Sequence, residues 1–276
     1  LSKFILQMPT SNTQFNQLAQ TRYGPLLYNL FDKYVGGSIA AYGEFSEGEA
    51  AMFSQLVGQG NVVVEAGANI GAHTVHLAKL VGEQGAIFAF EPQRIVFQTL
   101  CANIALNQLV NVVTRQQGLG REFGEMVLPN VDPRVENNFG GLSLLPDGVG
   151  ERVGIVTIDS LGLQRCNLIK VDVEGMEEEV IAGAVNTIAK FRPLLYLEND
   201  RVEKSASLIR FLQSLSYRVW WHITPLYNPD NFLKNAENIF GGVVSINILC
   251  QPEETARPVA GLREIMDANE QWNQSA

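Results

Sequence analysis

From Gly60 to about residue 250 the chain alternates short β-branched runs with amphipathic segments of helical length. Val62-Val63-Val64 reads as a buried strand and Gly71 to Val81 as the helix after it. Ala86 to Phe90 is a second strand, and Ile95 to Asn107 a second helix with Pro92 as its start signal. Val110 to Gln116 is a third strand. After an interruption the rhythm resumes with the strand Leu168 to Val173 and a helix from Met176 to Lys190. A strand Leu194 to Leu197, a helix Ser205 to Leu215 and strands Tyr217 to Trp221 and Val243 to Leu249 complete it. Such alternation implies a parallel sheet with helices on both faces. The interruption reads as a hairpin over Arg121 to Leu128, turning at Gly124, and a loop rich in Asn, Gly and Pro from Pro129 to Gly150. Before Gly60 the sequence is polar and mixed, with one helix expected over Glu47 to Val57 capped by Ser46. Residues 1–58 are therefore read as a helical or irregular segment contributing to an acceptor site, 59–252 as the main domain and 253–276 as a tail. Leu262, Ile265, Met266 and Trp272 suit a short amphipathic helix in that tail, leading toward a further domain in the full-length protein.

Composition narrows the partners. With 46% of its 276 residues hydrophobic, the chain can bury a core, which excludes global disorder. Its formal charge of −9 argues against a broad phosphate-binding face, so no nucleic-acid partner is expected. No apolar run reaches the roughly 18–20 residues of a membrane span. The three cysteines, Cys101, Cys166 and Cys250, are spaced for neither a zinc knuckle nor a redox pair, and read as free thiols of a cytoplasmic protein. The chain begins at Leu1 with no signal-peptide pattern visible, and the missing initiator Met suggests a trimmed chain or a piece of a longer one.

The sharpest motif is Glu65-Ala66-Gly67-Ala68-Asn69-Ile70-Gly71, at the first strand-to-helix junction. Open α/β sheets bind ligands beyond the carboxyl ends of their strands, where glycine lets backbone approach a ligand. The G-x-x-x-G spacing is neither the dinucleotide fingerprint nor a phosphate-cradling loop, so hydride transfer and nucleotide hydrolysis lose ground. A second acid, Glu91, ends the second strand 20 residues beyond Gly71, where a carboxylate can accept hydrogen bonds from ribose hydroxyls.

Together with Phe90-Glu91-Pro92 and Leu168-Ile169-Lys170-Val171-Asp172-Val173-Glu174-Gly175, this motif resembles the FkbM-type family of class I S-adenosylmethionine-dependent methyltransferases. The likeness runs from about residue 40 to 250 and extends to Asn228-Pro229-Asp230-Asn231-Phe232 and Asn238-Ile239-Phe240-Gly241. The resemblance implies a Rossmann-like, doubly wound, seven-stranded sheet whose last strand is antiparallel, the class I methyltransferase fold. It also implies S-adenosylmethionine as cofactor and an O-methyltransferase activity. Glu65, Gly67, Ala68, Asn69, Gly71, Thr74, Glu91, Pro92, Gln117 and Asp172 are the expected cofactor residues. Gly67 would make room for the methionine part, Glu65 and Asn69 would order the turn, and the adenine would lie near Gln117 and Gly118. His73 is placed to touch the cofactor, whereas His76 is expected to pack. Asn137, Asn138, Gly140 and Gly141 sit in a loop able to fold over the cofactor or the acceptor.

A sulfonium is already a good methyl donor, which leaves alignment and proton removal to the protein. Asp172 and Glu174, two residues apart after the fourth main strand, face one side if the strand alternation persists. One can serve as base while the other orients the acceptor or sulfonium. Glu177, Glu178 and Glu179 suit the N-terminus of the next helix. His222, after Trp220-Trp221, is a third catalytic candidate. Likeness to metal-dependent O-methyltransferases of the wider superfamily, which place an acid after strand four and an acid–Asn pair after strand five, implies Asp172, Glu198 and Asn199 as oxygen ligands for Mg²⁺, a less favoured route to the same activation. Tyr23, Tyr28, Tyr34, Tyr42 and the Pro225 to Phe240 loop are expected to form the acceptor pocket. The function expected is methyl transfer to a hydroxyl of a saccharide or secondary-metabolite acceptor. N- or carboxyl-methylation, or a non-catalytic cofactor-binding domain of a larger assembly, are the alternatives.

Overall fold

The computed structural model describes residues 14–273. The first 13 residues of the expected N-terminal segment lie outside them. The remainder of that segment is not irregular: strands β1 (Asn16–Thr21) and β2 (Gly24–Asn29) form a hairpin, and helices α1 (Val35–Tyr42) and α2 (Glu47–Leu56) come after it. Leu26 and Tyr28 enter the core, and Asn103 bonds both backbone groups of Leu27, so the hairpin is fastened to the main body. Ser46 stands at the N-cap of α2 as expected, but its side chain caps no backbone N–H. Its backbone is left-handed, and its hydroxyl donates to the carboxylate of Glu49 instead.

The expected alternation then appears as β3 (Val62–Ala66), α3 (Ala72–Val81), β4 (Ala86–Phe90), α4 (Arg94–Leu106) and β5 (Val112–Arg115). The interruption holds β6 (Gly118–Leu119), β7 (Gly124–Pro129) and β8 (Gly150–Val156), which make a small separate sheet in the order β6-β8-β7. The hairpin expected around Gly124 is therefore corrected: β7 pairs with β8, from the far end of the Asn/Gly/Pro loop. Local turn chemistry carries no mark of a partner some twenty residues away.

A 3-10 turn (Ile158–Leu161) leads to β9 (Leu168–Val171), α5 (Glu177–Ala182), α6 (Val185–Phe191), β10 (Leu194–Glu198), α7 (Val202–Ser214), β11 (Tyr217–Pro225), β12 (Val244–Pro252) and β13 (Arg263–Glu264). The single helix expected over Met176 to Lys190 is two. A Cβ on Gly183 would run into the carbonyl of Gly120, and the Asp159 carboxylate accepts from the backbone N–H groups of Asn186 and Thr187, starting α6 afresh. The tail helix is also corrected. Arg263–Glu264 pairs with Trp220 and Trp221 as an added edge strand, while Ile265, Ala268 and Trp272 pack on the core.

The main sheet runs β13-β11-β12-β10-β9-β3-β4-β5, parallel from β10 through β5, with β12 antiparallel between β10 and β11. This is the doubly wound, Rossmann-like sheet of seven strands with the last antiparallel, plus a short eighth at the edge. Two apolar clusters, one on each face, bury residues such as Ile169, Leu197 and Trp221 or Val63, Leu100 and Phe53. The chain leaves β3 toward β5 on one side and returns through β9 on the other. The switch point, and with it the crevice, falls at the carboxyl ends of β3 and β9.

Candidate functional site

A cavity of about 480 Å³ opens over these strand ends. One half of it is built by the glycine turn. Gly67 and Ala68 donate to the carbonyl of Phe90, which ties the turn to the end of β4. Gly67 has φ 77°, and a Cβ there would strike the carbonyl of Asp172. The role expected for this glycine is thus sharpened: the close approach it permits is first to β9's own continuation. Gly71 likewise gives way to Leu100. Glu65 is fully buried and does not line the cavity; its Oε2 accepts from the Thr74 hydroxyl at 2.6 Å. Both order the turn from beneath it. Glu91 does line the cavity, with one oxygen accepting from Asn69 N–H and the other from Gln93 N–H. Burial pushes its carboxyl up to about 7, against the pull of those two donors. Each oxygen keeps a lone pair, so a diol can still be received. Pro92, Gln117 and Gly118 continue the wall.

The loop of residues 137–141 forms the roof. Gly140 lies so close to Asn69 that a Cβ would crowd its amide, Asn138 accepts from Gly141 N–H, and Gln93 donates to the carbonyl of Phe139. Asn138, Gly140 and Gly141 line the cavity, whereas Asn137 instead joins the backbone of Phe31 and Lys33.

The other half is acidic. Lys170 is almost fully buried, its Nζ 3.6 Å from Glu65 and 3.5 Å from Asp172 and donating to the carbonyl of Gly67. Burial alone would lower its pKa; Asp172, Glu65 and Glu49 more than reverse this, and it stays an ammonium. Asp172, Glu174 and Glu198 bring one carboxylate oxygen each within 4.8 Å of one another. They converge through a turn and not by strand alternation, because β9 ends at Val171 and Glu174 is left-handed at φ 57°. Burial and the neighbouring Asp172 push Glu174 up to about 7, against the ion pair with Arg201. Burial, then Asp172 and Glu174, raise Glu198 well above the ordinary carboxylate range, and its Oε2 has no hydrogen-bond partner among the described residues. Glu177 holds the turn by accepting from Gly175 N–H.

Three expectations are corrected here. His222 does not line the cavity: its Nδ1 shares a hydrogen bond with the Tyr196 hydroxyl at 2.7 Å, and it is buried. Asn199 donates to the Ser205 hydroxyl and is buried away from the cavity, so Glu174 takes its place beside Asp172 and Glu198. Of the four tyrosines only Tyr34 lines the cavity; Tyr23 bonds Glu47, while Tyr28 and Tyr42 are buried in apolar clusters. The 225–240 loop contributes Leu226, and Val243, Val244 and Ser245 come just after it. His76 packs as expected, against Tyr23 and bonded to Ser54.

Sequence reasoning assigned no role to Lys170, Glu49 or Arg201, all of which line the cavity. For Lys170 a signal existed, since a charge inside a central parallel strand must be paired. Glu49 shares the first turn of α2 with Glu47, and nothing local distinguishes the two acids.

Residues 65–219 match the methyltransferase FkbM domain. The chain is similar to Methyltransferase 1 of Beauveria bassiana (strain ARSEF 2860), 32% identical over 143 residues, covering 44% of this chain and 57% of that protein. It is also similar to Methyltransferase sdnD of Sordaria araneosa, 33% identical over 155 residues, covering 44% of this chain and 59% of that protein. It thus spans under two thirds of the length of either relative. Among solved structures it is similar to a methyltransferase FkbM from Methylobacillus flagellatus KT, with TM-score 0.49 and 17% identity over 72% of this chain and 47% of that one. No helix among the described residues is long and apolar enough to cross a membrane.

Proposed function

The chain belongs to the FkbM family of S-adenosylmethionine-dependent methyltransferases, and from that premise we propose that it methylates a hydroxyl oxygen of a saccharide or secondary-metabolite acceptor, with Glu174 as general base. The observation that carries this reading is the convergence of Asp172, Glu174 and Glu198 in the same cavity as Gly67 and Glu91. The cavity fits the co-substrate: Glu91 has acceptor capacity for ribose hydroxyls, Pro92 and Gln117 flank the place for the base, and Gly67, Ala68 and Asn69 bring backbone alongside. When bound, S-adenosylmethionine supplies a sulfonium-activated methyl group with a neutral leaving sulfur.

The chain's own residues then manage the acceptor. Glu174, with its carboxyl near pKa 7, is suited to take the hydroxyl proton at neutral pH. Asp172, held by Lys170, orients that hydroxyl. Glu198, whose burial beside Asp172 and Glu174 favours its neutral form, can in that form donate an O–H to the acceptor's neighbouring oxygen. A second reading rests on the same three carboxylates, whose oxygens are close enough to hold a divalent cation such as Mg²⁺.

Mass spectrometry of isotope-labelled methyl transfer from S-adenosylmethionine into an extract of the source organism tests the proposal. An O-methylated product, formed equally well after exhaustive chelation, supports the carboxylate-base reading. Loss on chelation with recovery on adding Mg²⁺ moves the chemistry to the metal reading. A label on nitrogen or a carboxylate overturns the acceptor class, and co-substrate binding without any labelled product favours a non-catalytic domain.

A further inference from the structure

On the cavity wall, α2 and α3 present two polar side chains that the proposed reaction leaves unused. Glu49 and His73 both line the cavity, and each is buried, at 5% and 6% exposure. Glu49 is fixed by one oxygen only: Oε1 accepts from the hydroxyls of Ser46 and Ser245, each at 2.7 Å. The His73 ring is fixed by packing, edge-on to Phe53 with centroids 5.2 Å apart and tilted against Phe45 at 5.6 Å. Its Nε2 has no hydrogen-bond partner among the described residues. Burial, then the nearby Lys170 ammonium, hold its pKa down at about 3, so the ring is neutral and makes no ion pair with Glu49.

His73 Nε2 and Glu49 Oε2 lie 3.9 Å apart, too far for a direct hydrogen bond. The separation instead matches two acceptors waiting for one donor. A nitrogen about 2.8 Å from both would see them roughly 90° apart, which two N–H bonds of a single ammonium can serve. A neutral imidazole with its proton on Nδ1 presents Nε2 as an acceptor, and the carboxylate supplies the counter-charge.

We propose that Glu49 and His73 form a two-point clip for the α-ammonium group of S-adenosylmethionine, an assignment that rests on the co-substrate reading above. Their place in the cavity supports it. In that reading Glu91, at the end of β4, takes the nucleoside, and Gly67, Glu49 and His73 line the same cavity. An extended ligand with its ribose at Glu91 and its chain along Gly67 ends at Glu49 and His73. Phe45 and Phe53 hold the imidazole in place there.

Calorimetric titration of the wild-type chain and of Glu49→Gln and His73→Phe with two ligands tests this. The ligands are S-adenosylmethionine and 5′-methylthioadenosine, which keeps the nucleoside and sulfur but lacks the amino-acid end. Gln still accepts from Ser46 and Ser245, and Phe keeps the ring packing. The clip predicts an affinity loss of about 10- to 100-fold for S-adenosylmethionine in Glu49→Gln and about 3- to 10-fold in His73→Phe. Affinity for 5′-methylthioadenosine should stay within about twofold in both. Equal losses for the two ligands, or none for either, overturn the clip. Wild-type protein that binds neither ligand overturns the co-substrate reading instead. Should both variants unfold, the wild type alone decides: S-adenosylhomocysteine should bind at least about 10-fold more tightly than its N-acetyl and deaminated derivatives. Equal affinity would overturn the clip.

Discussion

The tips of β3 and β4 and the tips of β9 and β10 lie over one cavity, yet their carboxylates live in opposite conditions. Glu65 and Glu91 are buried and answered by Thr74, Lys170 and two backbone N–H groups. Asp172, Glu174 and Glu198 crowd one another, and Asp172 is 41% exposed while Glu198 keeps an oxygen without a partner. The first pair is organised by the fold before any ligand arrives. In the second group burial and mutual repulsion raise Glu174 and Glu198 despite the nearby Arg201, and a carboxylate so raised is suited to proton transfer.

The largest effect should come from breaking the crowded side chemically. Glu174→Gln is expected to lower turnover of the labelled acceptor by about 10²- to 10⁴-fold, with S-adenosylmethionine affinity nearly kept. In the wild type kcat/KM should rise with pH through about 7, as Glu174 loses its proton, and the residual activity of the variant should lack that limb. A pH profile unchanged by the substitution would deny Glu174 the role of base.

Next comes the residue that joins the two sides. Lys170→Met leaves Glu65 buried without its cation and should cost about 3–5 kcal/mol, read as a drop of about 10 °C in thermal unfolding. A drop of only a degree or two would mean that Glu65 is carried in the neutral form.

The two sides together predict a pH trend in stability. Glu91 and Glu174 have folded pKa values near 7, raised above the ordinary 4.5, so between these values the native state holds more protons than the unfolded one. Stability of the ligand-free protein should therefore fall as pH rises from about 4.5 to about 7, by on the order of 1–3 kcal/mol per group. Glu174→Gln should flatten that fall and melt higher than wild type at pH 8. A stability that climbs across this window would contradict the assignment. The smallest effect belongs to the organised side, where Thr74→Val removes one hydrogen bond to Glu65 and should cost about 1.5 kcal/mol.

The same division governs what could be read from sequence. The tips of β3 and β4 follow from local chemistry, a strand, a glycine turn and an acid at the next strand end, and Glu91 stands where that pattern put it. Asp172 and Glu174 were legible as residues, but their convergence depends on the left-handed turn at Glu174, which overrides the alternation. Features built from distant segments were not legible. The pairing of β7 with β8, the edge strand made by the tail, and Glu49 reaching the cavity from α2 all depend on contacts with no local periodicity. His222 shows the converse: a residue with suitable chemistry at a strand end, turned instead toward Tyr196.

The central claim is that the organised strand ends hold S-adenosylmethionine before any acceptor binds. Calorimetric titration of the folded chain with S-adenosylmethionine alone tests it directly. One site per chain is predicted, competed by S-adenosylhomocysteine and weakened at least about 10-fold in Glu91→Ala with cooperative unfolding retained. A folded chain that takes up no S-adenosylmethionine, or a Glu91→Ala variant that binds it as tightly as wild type, would contradict the account.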